Sequence, residues 1–264
     1  EEVFRLVRNL RDTADIYIAI QNPEESFWRE QPEVREALKE LKLFQIRQTN
    51  SLLIAGYKNL DKIFFKKLTK ICAVISFRYN VIGGLNPNAQ EEVYNTIALK
   101  INSNKKFNTR DFQEIYVSDS NFENDFSTKE FKNTTRNHKI IKYIFSKIEA
   151  YKFRNEISSE SDLYTVEHIL PESADESWGD FKQEEIRRSV YRIGNLTLLE
   201  RKLNREVDVL KYPEKSIRYT ESNSFITKAL AENYISWSED KISARQRELA
   251  KDAKAIWRIQ EFNL

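Results

Sequence analysis

Only five glycines and five prolines punctuate this chain of 264 residues. Glycine supplies the positive φ of tight turns and proline breaks regular structure, so an all-β fold with its many turns needs more of both. The chain must therefore consist of long helices with few tight connections. Apolar spacing agrees. Val3, Leu6, Val7, Leu10, Ala14, Tyr17 and Ile18 recur at helical intervals, which predicts an amphipathic helix over residues near 2–20, ended by Asn22-Pro23. Val34, Leu38 and Leu41 mark a second helix, and a longer one runs from about Leu60 to Tyr79 and stops before Gly83-Gly84. Asn86-Pro87-Asn88 opens another, carrying Val93, Ile97 and Ile101.

The polar stretch from Asn102 to Arg110 predicts a surface loop. Phe112 to Lys132 is rich in aromatic residues but has no clear period. Ile140, Ile141, Ile144, Phe145 and Ile148 line one side of a strong helix. Ile242, Arg245, Leu249, Ala253, Ile256 and Trp257 do the same for a final one. Between these two helices the pattern changes. Leu163-Tyr164-Thr165-Val166 reads as a short strand, and Gly194 precedes a second, Asn195-Leu196-Thr197-Leu198-Leu199.

Charge and cysteine content exclude several classes. A formal net charge of +2 makes no polycation, so any nucleic-acid surface must be local. The single cysteine, Cys72, lies in the apolar run Ile71-Cys72-Ala73-Val74-Ile75 and reads as a core residue. It rules out an intrachain disulfide and a four-cysteine zinc site, and it suits a reducing compartment. No apolar stretch has the length of a membrane span, and no signal peptide is visible. The chain has no methionine and starts directly in a helical pattern, which reads as a piece of a longer polypeptide.

The chemistry concentrates in two segments. Val166-Glu167-His168-Ile169-Leu170-Pro171 ends a strand with a carboxylate beside an imidazole. Neighbouring strand residues point to opposite faces, but a bend helped by Pro171 would bring both toward one site. Imidazole takes up a proton near neutral pH, and a carboxylate oxygen suits a hard cation such as Mg²⁺. The second segment, Arg192-Ile193-Gly194-Asn195-Leu196-Thr197-Leu198-Leu199, is followed by Asn204 where a helix could begin. An Asn carbonyl can complete the shell of a hard metal and leave positions for water and phosphate oxygens, as phosphodiester cleavage requires.

Glu-His-Ile-Leu-Pro, then Gly-Asn-Leu-Thr-Leu-Leu, then Asn204 resembles the HNH, or His-Me finger, nuclease motif, and more specifically the C-terminal domain of the GmrSD-type restriction endonucleases. Pro213-Glu214-Lys215, Ser224-Phe225-Ile226, Trp237 and the last helix resemble the downstream part of that family. The resemblance implies a mainly α fold, a helical bundle with an embedded ββα-metal unit. It also implies a helical connecting domain over residues 1–133 and an HNH-type nuclease domain over 134–264. The implied activity is metal-dependent cleavage of DNA, by nicking or double-strand breakage, in a bacterial modification-dependent restriction or anti-phage system. An upstream nucleotide-hydrolysing domain would be a partner in the same polypeptide. No Gly-rich phosphate loop for such hydrolysis is present in the chain itself.

By the same resemblance His168 matches the general base that activates water, and Asn204 the metal-binding Asn of the ββα-metal helix, with Mg²⁺ or Mn²⁺ as the ion. Glu167 stands where related nucleases place a metal ligand, often Asp or His. Asn195 matches an Asn that braces the loop behind the catalytic His. The chain departs from standard HNH proteins in lacking a final His and zinc-binding cysteines. Each residue also has a plainer role open to it. Glu167 can be an ion-pairing acid, and Asn204 can cap a helix as well as bind metal. His138 reads as structural. Between Lys182 and Arg218 ten basic residues stand against six acidic ones. From these, Arg187, Arg188, Arg192, Arg201, Lys202, Arg205 and Lys215 are the candidate DNA contacts, although the arginines can equally form a solvated face and Lys215 a local cap. The competing reading is a DNA-binding or interaction module that keeps the HNH-like fold without catalysis.

Overall fold

The computed structural model describes residues 1–174, 178 and 181–262. The protein is mainly helical and divides into two compact units, Glu1–Ser118 with Trp257–Leu264, and Asp119–Ile256.

The first unit contains α1 (Glu2–Gln21), α2 (Pro32–Phe44), α3 (Asn50–Asn59), α4 (Lys62–Ser76) and α5 (Pro87–Asn102). Local chemistry sets their ends. Pro32 and Pro87 occupy first-turn positions, where the missing N–H costs nothing. Gln45 closes α2 in the left-handed region at φ 62°. The Asp61 carboxylate accepts from Phe64 N at 2.9 Å, and Asn86 Oδ1 from Asn88 N at 3.0 Å, so each satisfies a donor of the first turn. A π-helical turn over Phe77–Ile82 extends the line of α4, so the long helix expected from Leu60 to Tyr79 forms as two pieces. α1 matches its predicted span, but Val3, Phe4, Leu6, Val7 and Leu10 are exposed and only Ile16, Ala19 and Ile20 are buried. Arg78 is fully buried, donates to Val117 O at 2.9 Å and Trp257 O at 2.7 Å, and lies over the Tyr116 ring. It thereby ties the returning C-terminal segment to this unit, where Trp257 stacks on Phe77.

The second unit contains α6 (Asp119–Thr128), α7 (Thr135–Phe153), β1 (Tyr164–His168), α8 (Gln183–Ser189), β2 (Leu196–Glu200), α9 (Arg201–Val207), α10 (Tyr212–Tyr219), α11 (Phe225–Asn233) and α12 (Glu239–Ile256). The aromatic stretch without a clear period resolves into a short 3-10 helix and α6, which bury Phe112, Phe122 and Phe126. β1 and β2 pair antiparallel, with Tyr164 opposite Glu200 and His168 opposite Leu196. α9 follows β2 directly and packs on both strands.

Strand β2 is anchored by α12. A Cβ on Gly194 would stand 2.2 Å from Ile242 O, so only glycine permits this approach. Arg245 is buried and donates from Nη1 to Gly194 O and Leu196 O, both at 2.7 Å. Loss of hydration pulls the Arg245 pKa down to about 10. Gln246 accepts from Gly194 N and donates to Phe126 O and Lys129 O. At the other edge, buried Glu149 of α7 accepts from Phe225 N and Ile226 N, which caps the start of α11. Among the described residues, no helix is long and apolar enough to cross a membrane.

Candidate active site

Strand alternation decides what the Glu-His pair can do. β1 directs Glu167 to one face and His168 to the other. On the inner side α10 presents Lys215 and Tyr219, which share a helix face at a spacing of four. Lys215 Nζ lies 2.7 Å from Glu167 Oε1, and Tyr219 Oη donates to the same oxygen at 2.9 Å. Lys215 also donates to His168 O at 3.0 Å. Both charged side chains are inaccessible, at 0% and 4% exposure. Burial pushes the Glu167 carboxyl above its usual range, because the lost hydration outweighs the attraction of the ammonium. Glu167 and His168 are therefore not brought to one point by the Pro171 bend. Lys215, expected along the DNA-facing stretch, is enclosed in the core.

His168 stands at the end of β1 with its side chain 15% exposed. Its Nε2 is 3.5 Å from Glu172 Oε1. Glu172 is itself held by Asn133 Nδ2 at 2.6 Å and Tyr191 Oη at 3.2 Å, and the Tyr191 ring meets the imidazole edge-on. Burial lowers the His168 pKa to about 4, and the nearby His138 and Lys215 add to the effect while the Glu172 carboxylate opposes it. The imidazole is thus neutral at pH 7 and able to accept a proton. His138, read from the sequence as an unaccompanied structural residue, lies close enough to act electrostatically on His168, and its buried Nε2 has no hydrogen-bond partner among the described residues.

Asn195 is fully buried and uses its whole amide on the segment after His168. Oδ1 accepts from Leu170 N at 2.8 Å and Trp237 Nε1 at 3.0 Å. Nδ2 donates to Leu170 O at 2.9 Å and Val190 O at 3.1 Å. Asn195 therefore fixes the backbone that follows the histidine. Asn204 lies inside α9 rather than at its cap, which is Glu200. Its Nδ2 donates to Val166 O at 3.2 Å, which directs the carbonyl oxygen away from the strand. Among the described residues, no group of three or more His, Cys, Asp or Glu is spaced to hold a metal ion.

The basic residues fall into three groups. Arg192 is committed internally: it donates to Gln246 Oε1, Ser243 Oγ and Ser127 O. Arg187 and Arg188 are exposed on α8, and Arg188 lies 3.7 Å from Glu239. Arg201, Lys202 and Arg205 line a surface cleft of about 630 Å³ at the Tyr164–Glu200 end of the hairpin, with Tyr164, Asp162 and Glu206 beside them. Several residues that organise this site lie outside the sequence motifs. Asn133, Glu172, Tyr191 and Tyr219 carry no motif of their own, while Arg245 and Gln246 are legible only as positions of the last helix.

No match was found among curated proteins. Residues 116–252 match the family model described as GmrSD restriction endonucleases, C-terminal domain. The match spans just over half of the chain and contains both strands, α9 and α10. The chain belongs to the GmrSD restriction endonucleases through their C-terminal domain, and hence to a family of nucleases.

Proposed function

We propose that this chain is a metal-dependent DNA endonuclease whose β1, β2 and α9 form an HNH-type ββα-metal unit. It acts within a modification-dependent restriction or anti-phage protein of the bacterial cytoplasm, with an upstream nucleotide-hydrolysing domain in the same polypeptide. The observation that carries this reading is His168 at the end of β1: a largely enclosed imidazole kept neutral, ahead of a segment pinned by Asn195 and next to a helix that presents Asn204. A neutral imidazole so placed takes a proton from water, which then attacks the phosphodiester. Asn195 keeps the base in place by fixing Leu170.

Asn204, whose Nδ2 bonds Val166 O, would offer its carbonyl oxygen to a hard ion such as Mg²⁺ or Mn²⁺, with water and phosphate oxygens completing the shell. An ion bound there would supply polarisation of the scissile phosphate and charge stabilisation for the leaving 3′ oxygen. Glu167 serves as the buried partner of Lys215 and supports His168 from behind. Arg187 and Arg188 on one side, and Arg201, Lys202 and Arg205 in the cleft, hold phosphates. Incubation of supercoiled plasmid with Mg²⁺ or Mn²⁺, with and without chelator, tests the reading. Nicked or linear product that requires the ion is expected. Intact plasmid with every ion, but retained DNA binding, would favour the inactive binding module.

A further inference from the structure

A general base must present one particular nitrogen, and a free imidazole exchanges between two neutral tautomers. The surroundings of His168 distinguish its nitrogens. Nε2 faces Glu172 Oε1 at 3.5 Å. That distance is long for a hydrogen bond, as catalytic contacts in unliganded enzymes often are before they tighten around substrate. Glu172 sits four residues after His168, beyond Pro171, and is kept in place from both sides. Asn133 Nδ2 contacts Oε1 at 2.6 Å, and Tyr191 Oη contacts Oε2 at 3.2 Å. Tyr191 also packs its ring edge-on against the imidazole, with centroids 6.1 Å apart. Three segments of the chain thus converge on one carboxylate beside the histidine.

We propose that Glu172 is a positioning residue for His168: it accepts a hydrogen bond from Nε2–H, holds the imidazole in the Nε2–H tautomer and leaves Nδ1 as the basic nitrogen. The inference rests on the reading of His168 as general base but concerns a different residue. Glu172 touches neither water nor phosphate in this role and acts only through the imidazole. Asn133 and Tyr191 in turn keep the carboxylate from swinging into solvent, which matters because Glu172 is 37% exposed.

The test combines a spectrum with kinetics. The chain has only two histidines, so untagged ¹⁵N-labelled protein gives two imidazole spin systems, and a His138→Gln variant assigns them. At neutral pH without added metal, His168 is expected to show a protonated Nε2 and an unprotonated Nδ1. Glu172→Ala should convert this to a mixture of tautomers. It should also lower kcat for plasmid cleavage by roughly 10–100-fold, the usual scale for removing a group that orients a functional histidine, with KM unchanged. Glu172→Gln keeps an acceptor oxygen and should restore the single tautomer and part of kcat, which separates positioning from a folding defect. Wild-type kcat in Glu172→Ala overturns the proposal. So does an unchanged tautomer in that variant, or an Nδ1-protonated imidazole in the wild type. Activity in His168→Ala would instead remove the general-base reading, a result distinct from any of these.

Discussion

Lys215→Met would cut the buried ion pair beneath the histidine and leave Glu167 without its ammonium. Both side chains are inaccessible, the contact is 2.7 Å, and the ammonium also holds His168 O. Breaking such a pair from one side costs about 3–5 kcal/mol, because a buried carboxylate is left uncompensated. A double change, Lys215→Met with Glu167→Gln, removes the stranded charge and keeps an acceptor for Tyr219 Oη. It should recover more than half of the loss, with a coupling of about 1–3 kcal/mol in a double-mutant cycle. Urea denaturation followed by the fluorescence of Trp237, which stacks on Tyr212 of the same helix α10, measures each term. A Lys215→Met variant that loses under about 1 kcal/mol and binds DNA more weakly would refute the argument. Lys215 would then be a surface contact to phosphate.

Two further outcomes follow from the charges. His168 has its pKa lowered from 6.5 to about 4 by burial, so between those values the unfolded chain binds more protons and stability rises with pH. His168 should therefore stabilise the fold fully above pH ~6.5 and lose roughly 2 kcal/mol by pH 5. His168→Gln should remove that part of the pH dependence in denaturation curves, and an identical acid profile in both proteins would show that the imidazole is not buried neutral. Arg187→Ala with Arg188→Ala should flatten the log–log salt slope of duplex binding by roughly 0.9 for each phosphate left without its arginine, equally on all sequences. An unchanged slope would make α8 a solvated face and shift the DNA path to the cleft of Arg201, Lys202 and Arg205.

The helical class is legible because it follows from the scarcity of turn residues and from apolar spacing. Asn86-Pro87 marks the start of α5, and the two strands lie within one or two residues of their expected positions. The break after Ser76 is not legible, since the π-helical turn carries the same apolar residues as a continuous helix. The orientation of Glu167 is available from strand alternation alone, and the bend expected at Pro171 does not overturn it. The partner of Glu167 is also encoded, since Lys215 and Tyr219 stand four residues apart on one helix, but no local rule joins that helix to β1. The same limit hides Glu172. Its contacts come from Asn133 and Tyr191, 39 and 19 residues away, and only tertiary packing brings them together.

The central claim, that His168 is the general base of DNA cleavage, is tested most directly by single-turnover cleavage of supercoiled plasmid with saturating His168→Ala protein in Mg²⁺. Removal of a positioned base should slow cleavage by ~10²–10⁴-fold, while DNA affinity and cooperative unfolding stay those of the wild type. Cleavage by the folded variant at the wild-type rate would contradict the account.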